Sequence, residues 1–186
     1  MQLEFNFDSW QWVASQCLGL VSVFLIFWAF QSKAKSKTLF IQTIAISLGV
    51  VANAFLGNYV IAGLLSVQIV RNIAFLFLDK YDNKVPKWLS YFTLVFFLAA
   101  VVIVVVFTRQ WWWDWILMVL SMLTVYGRWA KGIHKMRITA LLFNSASIPN
   151  SIRFNNFMGL VMDIVIILSI IWFYIKRYRR RKNENN

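Results

Sequence analysis

The chain has 186 residues, of which 60% are apolar and 14% are charged, and its formal net charge is +12. A soluble domain of this length needs far more polar surface, so the composition excludes a soluble fold and indicates an all-α integral membrane protein. The positive residues lie in gaps between hydrophobic runs instead of forming one basic face, which argues against nucleic acid as a partner.

Seven hydrophobic runs predict seven transmembrane helices, because a bilayer core of about 30 Å is crossed by roughly 20 helical residues. The runs extend over Trp10 to Gln31, Thr38 to Leu56, Tyr59 to Leu78, Trp88 to Phe107, Trp113 to Tyr126, Ile138 to Ile152 and Asn156 to Ile175. The first run follows Glu4 and Asp8 and has no basic region or small-residue cleavage site. It is therefore predicted to remain as a spanning helix and not to be a signal peptide.

The distribution of Lys and Arg predicts the orientation of the helices. Most of them lie in every second gap or in the tail: Lys33, Lys35, Lys37, Lys80, Lys84, Lys87, Arg128, Lys131, Lys135, Arg137, Lys176, Arg177, Arg179, Arg180, Arg181 and Lys182. Basic residues near helix ends stay on the cytoplasmic side, so the N-terminus is predicted outside and the C-terminus in the cytoplasm. The sixth run is short and contains Asn144 and Pro149, but without its crossing the basic tail would lie outside.

Three segments have predictable surroundings. The sixth run also contains Ser145 and Ser147, and such a polar helix is predicted to lie inside the bundle, shielded from lipid. The fourth run has no charge between Trp88 and Phe107 and is predicted to face lipid. The three tryptophans at 111–113 are predicted to form an aromatic belt at the outer interface, with a stacking platform for sugars or bases as the alternative.

The two halves of the chain share a pattern that predicts an internal repeat. At a constant displacement Trp10, Trp12, Trp28, Ala29 and Thr38 recur as Trp111, Trp113, Trp129, Ala130 and Thr139, and a shorter displacement matches Asn53 with Asn150 and Gly63 with Gly159. Three spans, one plain apolar span and three further spans give both triplets the same orientation, which is the parallel-repeat plan of some small transporters. We therefore predict one membrane domain over 1–186, with repeat 1 at 10–78, a linker helix at 88–107, repeat 2 at 113–175 and a basic cytoplasmic tail at 176–186.

Two parts of the sequence resemble a known family. They are Leu56-Gly57-Asn58-Tyr59 followed by Gln68-Ile69-Val70-Arg71, and the last third of the chain, from the basic gap through Gly159 to the helix with Asp163. They resemble the YgjV family of bacterial inner-membrane proteins. The three-plus-one-plus-three order is similar to that of the SWEET sugar facilitators and the PnuC transporters, although the chain has no Pro-Gln dipeptide. The resemblance implies a multi-pass location in the bacterial plasma membrane and a fold, but no reaction.

Arg71 and Asp163 are charged residues predicted to lie deep in the third and seventh spans. Arg71 precedes Asp79 by eight residues and Asp163 precedes Lys176 by thirteen, so they lie about 12 Å and about 20 Å from the cytoplasmic boundary. A charge at such a depth costs roughly 2.5 to 3.5 kcal/mol on insertion scales, so each needs a partner or a water-filled cavity.

These two charges suggest a binding site. We predict that a central polar cavity binds a small hydrophilic solute and is lined by Arg71, Asp163, Gln68, Asn72 and Asn144. The alternative is an ion pair that only holds two helices together, with amides that form hydrogen bonds between helices.

Asparagines cluster around the two turns that close the repeats at the predicted outer face. Asn53, Asn150 and Arg153 are predicted to form an outer polar vestibule, together with the neighbouring Asn58, Asn155 and Asn156. The alternative is helix capping and turn formation, for which Asn is favoured whatever the function.

Residues that catalyse reactions or bind metals do not occur in a recognisable pattern. The seven acidic residues are scattered, and the seven glycines form no phosphate-binding motif. The single cysteine, Cys17, is predicted to be a packing residue, and the single histidine, His134, a solvated loop residue. We therefore expect no enzyme activity, no metal site and no cofactor.

The sequence as a whole predicts a small-solute transporter or facilitator. It would work as a monomer or a small homo-oligomer by rocking one triplet of helices against the other. The basic tail is predicted to contact anionic lipid headgroups. The alternative is a non-transporting structural or accessory membrane protein whose polar core only packs helices.

Overall fold

The structure, a computed structural model, describes residues 10–31, 35–80, 86–130 and 133–184. All regular secondary structure in these ranges is α-helical, as the apolar runs predict. The helices are α1 Trp10–Gln31, α2 Lys35–Phe55, α3 Tyr59–Lys80, α4 Lys87–Thr108, α5 Asp114–Trp129, α6 Ile133–Arg153 and α7 Phe157–Glu184.

The last three helices extend beyond their predicted bounds. α5 continues to Trp129, and α6 begins at Ile133, well before the predicted start at Ile138. His134 therefore lies in the first turn of α6 and not in a loop. α7 continues to Glu184, so residues predicted as a tail extend the helix. Hydropathy marks only the apolar part of a helix, whereas Lys and Arg are themselves good helix formers.

Six of the seven helices form a closed ring. α1 packs against α2 and α7, α2 also packs against α3, and α6 packs against α5 and α7. The ring is completed where α3 meets α5 over a short stretch. α4 lies outside this ring and packs against both α3 and α5. Its Phe97, Val101 and Val105 are buried in that contact, while Phe92, Phe107 and most of its other large side chains are exposed, as expected of a helix that faces lipid.

Hydrogen bonds gather three turns and the start of α1 at one end of the bundle. Trp12 Nε1 donates to Asn155 O at 3.3 Å, and Gln110 Nε2 donates to Gly57 O at 3.3 Å. Arg153 Nη2 donates to Gln110 O at 3.4 Å. This end, with the turns at 56–58, 109–113 and 154–156, is named the asparagine end. The opposite end, where α1, α3 and α5 finish, is named the basic end.

The turns after α2 and α6 have the same construction. Gly57 has φ 70° and Asn155 has φ 50°, the left-handed conformation that ends a helix and that Gly and Asn adopt most easily. The next residue in each turn is an asparagine that caps the following helix: Asn58 Oδ1 accepts from Ile61 N at 3.3 Å, and Asn156 Oδ1 accepts from Gly159 N at 2.8 Å. Capping, the alternative role proposed for these asparagines, is therefore present.

Five of the described helices are long and apolar enough to cross a membrane, namely α1, α2, α3, α4 and α7. α5 has 16 residues, which extend about 24 Å. α6 has 21 residues but is interrupted by polar side chains and by Pro149. The expected crossings are therefore confirmed for five helices by length and composition, and the molecule is an all-helical, multi-pass membrane protein.

α6 and Cys17 differ from their predicted surroundings. The polar residues of α6 predict a helix enclosed by others, whereas α6 is one member of the ring. Its Ile138 and Ile152 are exposed, while Asn144 and Ser147 are buried. An amphipathic helix can direct polar groups into the bundle and apolar groups toward lipid, so enclosure is unnecessary. Cys17 is exposed and is not an internal packing residue.

Candidate functional site

A central cavity of about 90 Å³ lies within the ring. Every ring helix contributes to its lining, and α4 does not. The polar lining residues are Gln42, Asn53, Gln68, Thr124, Arg128, Asn144, Ser147, Ser151, Asn156 and Asp163. The apolar remainder includes Ile46, Leu65 and Phe143. Half of the lining residues are therefore polar, in a molecule whose exposed surface carries many large apolar side chains.

The volume limits what the cavity holds in this conformation. A cavity of about 150 Å³ accepts benzene, so a cavity of about 90 Å³ corresponds to roughly four heavy atoms or a few water molecules. A larger solute requires the ring helices to move apart.

Three asparagines close the cavity at the asparagine end. Asn53 Oδ1 accepts hydrogen bonds from Asn58 Nδ2 at 3.3 Å and from Asn156 Nδ2 at 3.1 Å. Asn53 Nδ2 donates to Gly49 O at 2.8 Å. These three residues, named the asparagine hub, tie the α2–α3 turn to the α6–α7 turn. Asn53 and Asn156 line the cavity, so the hub borders it on the side of the asparagine end.

One wall of the cavity carries the carboxylate of Asp163, on α7. Asp163 is 5% exposed, and its Oδ2 accepts a hydrogen bond from Ser151 Oγ at 3.3 Å. On the α6 side, Ser147 Oγ donates to Asn144 O at 2.9 Å and Asn144 Nδ2 donates to Ala140 O at 2.6 Å. A carboxylate offers about four lone-pair sites, so Asp163 keeps acceptor capacity for a donor in the cavity.

The wall formed by α3 and α5 carries positive charge. Gln68, Thr124 and Arg128 line the cavity here. Arg128 Nη1 donates to Asn72 Oδ1 at 2.7 Å, and Arg71 Nη1 donates to Thr124 Oγ1 at 3.0 Å. Arg71 is 0% exposed and lies behind Thr124, so it reaches the cavity wall only through that hydroxyl. Arg71, Asn72, Ser121, Thr124 and Arg128 together are named the arginine cluster.

The residues predicted to bind a solute divide into two groups. Gln68, Asn144 and Asp163 line the cavity. Arg71 and Asn72 are fully buried in the arginine cluster, next to the cavity wall. The guanidinium of Arg71 and the carboxylate of Asp163 have different hydrogen-bond partners, Thr124 and Ser151, on different helices.

The residues predicted to form a vestibule are also separated. Asn53 belongs to the hub and lines the cavity. Asn150 is 1% exposed, and neither its Oδ1 nor its Nδ2 has a hydrogen-bond partner among the described residues. The Cζ of Arg153 lies 5.0 Å from the ring centroid of Trp111, one of the three tryptophans predicted to form the aromatic belt. The three residues thus lie in the cavity lining, at a buried position and in an aromatic contact, and a shared outer vestibule stays a prediction.

Two cavity-lining residues of α5, Thr124 and Arg128, were not predicted from the sequence. Arg128 follows a hydrophobic run, and the sequence assigns it to a cytoplasmic gap. A signal is nevertheless present, since Ser121, Thr124 and Arg128 recur at intervals of three and four residues and therefore share one face of a helix. Gln42 gives a similar signal, as a polar amide within the apolar second run.

At the basic end, two titratable residues of α6 contact α7. His134 Nδ1 lies 3.3 Å from Tyr174 Oη, and His134 is half-buried. The guanidinium Cζ of Arg137 lies 3.4 Å from the ring centroid of Phe173. Among the described residues, no three His, Cys, Asp or Glu side chains come close enough to hold a metal ion.

Comparison with known protein families gives a match to the model of the Imp-YgjV family, which is described as a bacterial inner membrane protein. The match extends over residues 13–181, from the first turn of α1 almost to the end of α7. Comparison with curated proteins and with solved structures gives no match. The similarity of the helix order to SWEET and PnuC transporters stays a prediction. The chain therefore belongs to the Imp-YgjV family and is a multi-pass protein of the bacterial inner membrane.

Proposed function

We propose that this protein is a small-solute transporter or facilitator whose central cavity binds a hydrophilic solute. The observation that carries the proposal is a cavity lined by six helices, with Asp163 and Arg128 among its polar lining. Charged residues inside a membrane bundle are costly and mark substrate or ion pathways. Helix packing alone needs no enclosed polar space, because small residues and direct hydrogen bonds suffice to hold helices together.

The proposal includes an architecture of two parallel three-helix repeats, α1–α3 and α5–α7, joined by α4. The matching turns support it: Asn58 N donates to Asn53 O at 3.0 Å, and Asn156 N donates to Ser151 O at 2.9 Å. The ring gives further support, because α3 meets α5 as α7 meets α1. A twofold axis along the membrane normal relates such pairs of junctions.

The turns favour a different register of the repeats from the one expected from the sequence. Asn53 pairs with Ser151 and not with Asn150, and Gly159 pairs with Ile61 and not with Gly63. Continued along α3 and α7, this register pairs Arg71 with Ser169 and Asp163 with Leu65. Each charge would then be peculiar to one repeat, so the two triplets would supply different chemistry to the cavity.

We further propose that all seven helices cross the membrane, with the N-terminus outside and the C-terminus in the cytoplasm. Lys80, Lys87, Arg128 and Lys135 lie at the basic end, and basic residues near helix ends stay cytoplasmic. A C-terminal green fluorescent protein should therefore fluoresce, and a C-terminal alkaline phosphatase should be inactive. An active phosphatase with a dark fluorescent protein would reverse the orientation.

Rocking of α1–α3 against α5–α7 would open the cavity. The hydrogen bond between Asn53 and Asn156 joins the two triplets, so opening toward the asparagine end requires that bond to break. Opening toward the basic end would leave the hub intact. In either state the solute would contact Asp163 on α7 and Arg128 on α5.

Transport is tested with the purified full-length protein in liposomes. The vesicles are placed in a hyperosmotic solution of glycine, lactate or glycerol, and light scattering follows shrinkage and then re-swelling as solute enters. We expect faster re-swelling than in protein-free vesicles for at least one solute. Asp163→Asn should slow it about tenfold, which corresponds to the loss of one charge-assisted hydrogen bond.

Cys17→Ala is the matched control, because Cys17 is exposed on α1 and contributes nothing to the cavity. It should keep the wild-type rate, and both variants should keep the wild-type unfolding temperature. Re-swelling no faster than in empty vesicles for all three solutes would remove the support for transport. It would favour the alternative, a non-transporting membrane protein whose polar core only packs helices.

A further inference from the structure

Two arginines meet at the junction of α3 and α5 without a carboxylate partner among the described side chains. Arg71 binds Thr124, and Arg128 binds Asn72. The two described carboxylates are engaged elsewhere. Asp114 Oδ2 accepts from the backbone N–H groups of residues 110 and 111, both at 2.8 Å, and Asp163 accepts from a serine of α6. The junction therefore carries two positive charges that neither carboxylate balances.

One edge of the Arg71 guanidinium has no hydrogen-bond partner among the described residues. Its Nη1 donates to Thr124, whereas its Nε and Nη2 are buried and have no hydrogen-bond partner among the described residues. Nε and Nη2 lie on the same edge of a guanidinium, where two parallel N–H groups match two oxygens of a carboxylate or phosphate. The side chain is 0% exposed, so this edge is directed into the bundle and not toward lipid or bulk water.

The rest of the arginine cluster offers only neutral oxygens as acceptors. Asn72 Oδ1 is occupied by Arg128, and Thr124 Oγ1 is occupied by Arg71 and itself donates to Ser121 O at 2.8 Å. Asn72 Nδ2 and Ser121 Oγ are buried without a partner among the described residues. Three nitrogen atoms with N–H groups are thus unused in one place. The group that would satisfy them is an acceptor with negative charge.

A guanidinium stays protonated in proteins, and burying it without a counter-charge is strongly unfavourable. The cavity offers a route by which a negatively charged acceptor could reach the arginine cluster. Gln68, Thr124 and Arg128 belong both to the α3–α5 wall and to the cavity lining. Because α3 and α5 contact only over a short stretch, this junction is also the part of the ring with the least direct helix packing.

We propose that the arginine cluster binds an oxyanion, the carboxylate or phosphate group of a small soluble molecule that arrives through the cavity. Because the Nε–Nη2 edge of Arg71 is buried behind the cavity wall, the α3–α5 junction must open for two oxygens of that group to lie along it. Arg128 and Asn72 then donate to the remaining lone pairs. The source of the ligand rests on the proposed function, since a transporter's cavity would deliver it. The solutes expected for this protein are therefore small organic or inorganic oxyanions.

Binding is tested on the purified full-length protein in a neutral detergent, without transport. Sodium phosphate and sodium lactate are titrated against sodium chloride at constant ionic strength, and thermal unfolding is followed by tryptophan fluorescence. We expect a saturable rise of the unfolding temperature with phosphate or lactate but not with chloride. Arg71→Lys keeps the charge but removes the two-donor edge, so it should weaken the apparent affinity about tenfold to a hundredfold. Arg128→Gln should weaken it by a similar factor.

Arg109→Gln is the control, because Arg109 is an exposed arginine outside the cavity, and it should respond as the wild type does. Phosphate also stabilises proteins without a site, through its exclusion from protein surfaces, and that effect is identical in all variants and does not saturate. An equal response of wild type, Arg71→Lys and Arg128→Gln would overturn the proposal. If one arginine variant folds poorly, the other variant and the saturation of the wild-type rise in unfolding temperature decide the test.

A lipid phosphate is the other source of the same chemistry. Nanodiscs made with zwitterionic lipid alone, or with added phosphatidylglycerol, separate the two sources. One result would overturn the proposal of a soluble ligand. In that result phosphatidylglycerol stabilises the wild type but not Arg71→Lys, and neither phosphate nor lactate has an effect. Anion binding without flux in liposomes would contradict only the proposed transport function, whereas flux of glycerol, which has no oxyanion group, without anion binding would contradict only this inference.

Discussion

Two junctions complete the helix ring, and they are built in opposite ways. At the α1–α7 junction, Gly19 lies so close to α7 that a Cβ at this position would be 2.5 Å from Met158 Cβ. Gln16 Oε1 accepts a hydrogen bond from Met158 N at 2.8 Å, so this side-chain oxygen of α1 is paired directly with the backbone of α7. At the α3–α5 junction the helices contact only over a short stretch, and Arg71 keeps two buried nitrogen atoms without partners among the described residues.

This difference between the two junctions indicates which of them a bound ligand can change. A glycine contact with satisfied hydrogen bonds has one close-packed arrangement, and moving it loses both contact and polar pairing. A junction with unpaired buried charge gains stability when an acceptor arrives, so its free energy depends on what is bound. In the proposed transporter we therefore infer that α1–α7 is the fixed contact about which the triplets rock. The α3–α5 junction, with α4 packed against both helices, would be the part that a solute changes.

The largest effect on this comparison is expected from Gly19→Leu. The added side chain would overlap with Met158, whose Cβ belongs to α7 itself and cannot rotate away. We expect the free energy of unfolding to fall by about 3 kcal/mol, the upper range for overpacking. Thermal unfolding in detergent, followed by tryptophan fluorescence, measures this loss. Cys17→Leu, at an exposed site on the same helix, should leave stability nearly unchanged. Equal stability of the two variants would show that α1 and α7 are not closely packed.

A substitution at the α3–α5 junction should have the opposite effect and raise the free energy of unfolding. In buffer without oxyanions, Arg71→Met should raise the free energy of unfolding by about 2 kcal/mol, because it removes a buried charge that has no counter-charge among the described side chains and keeps most of the volume. Saturating phosphate should narrow the difference by stabilising only the wild type. Arg109→Met, at an exposed arginine, is the control and should change little. A loss of stability in Arg71→Met would mean that its guanidinium is already paired within the protein.

The smallest effect concerns the contact of α4 with α3. A Cβ at Gly63 would lie 2.5 Å from Val104 Cγ1 on α4, and a β-branched side chain has little freedom to move aside. We expect Gly63→Ala to lower the free energy of unfolding by about 1 kcal/mol. A Cβ at Gly49 would lie 3.3 Å from the flexible end of Leu65, so Gly49→Ala should gain up to about 1 kcal/mol of helix propensity. The same unfolding assay applies to both variants. A gain of stability in Gly63→Ala as well would show that α4 does not pack closely against α3.

The cavity lining was predictable in part from polarity within apolar runs. Gln68, Asn144 and Asp163 stand out because each interrupts a hydrophobic segment, and lipid exposure of such groups is unfavourable. The energetic cost holds whichever helices surround them, so an inward position follows from the run alone. The structure places all three in the cavity lining.

The partners of the buried charges were not predictable in the same way. Arg71 and Asp163 lie on the equivalent last helices of the predicted repeats, which suggests a pair, yet Arg71 binds Thr124 and Asp163 binds Ser151. Spacing along one helix defines which face a residue occupies, but not which neighbour that face meets. Arg128 shows the same limit, because a basic residue at the end of a run satisfies topology equally well at a cavity wall or in cytoplasmic water.

Local chemistry, readable from the chain alone, decides most of the outline: the helical content, the apolar runs, the membrane location and the asparagine turns. Each depends on interactions within about one helical turn or between a segment and lipid. Packing of residues far apart in the chain decides the rest. The ring order brings α5 beside α3, where two donors of Arg71 have no partner among the described residues, next to a polar cavity. Such an imbalance depends on which acceptors arrive from other helices, and no single segment contains that information.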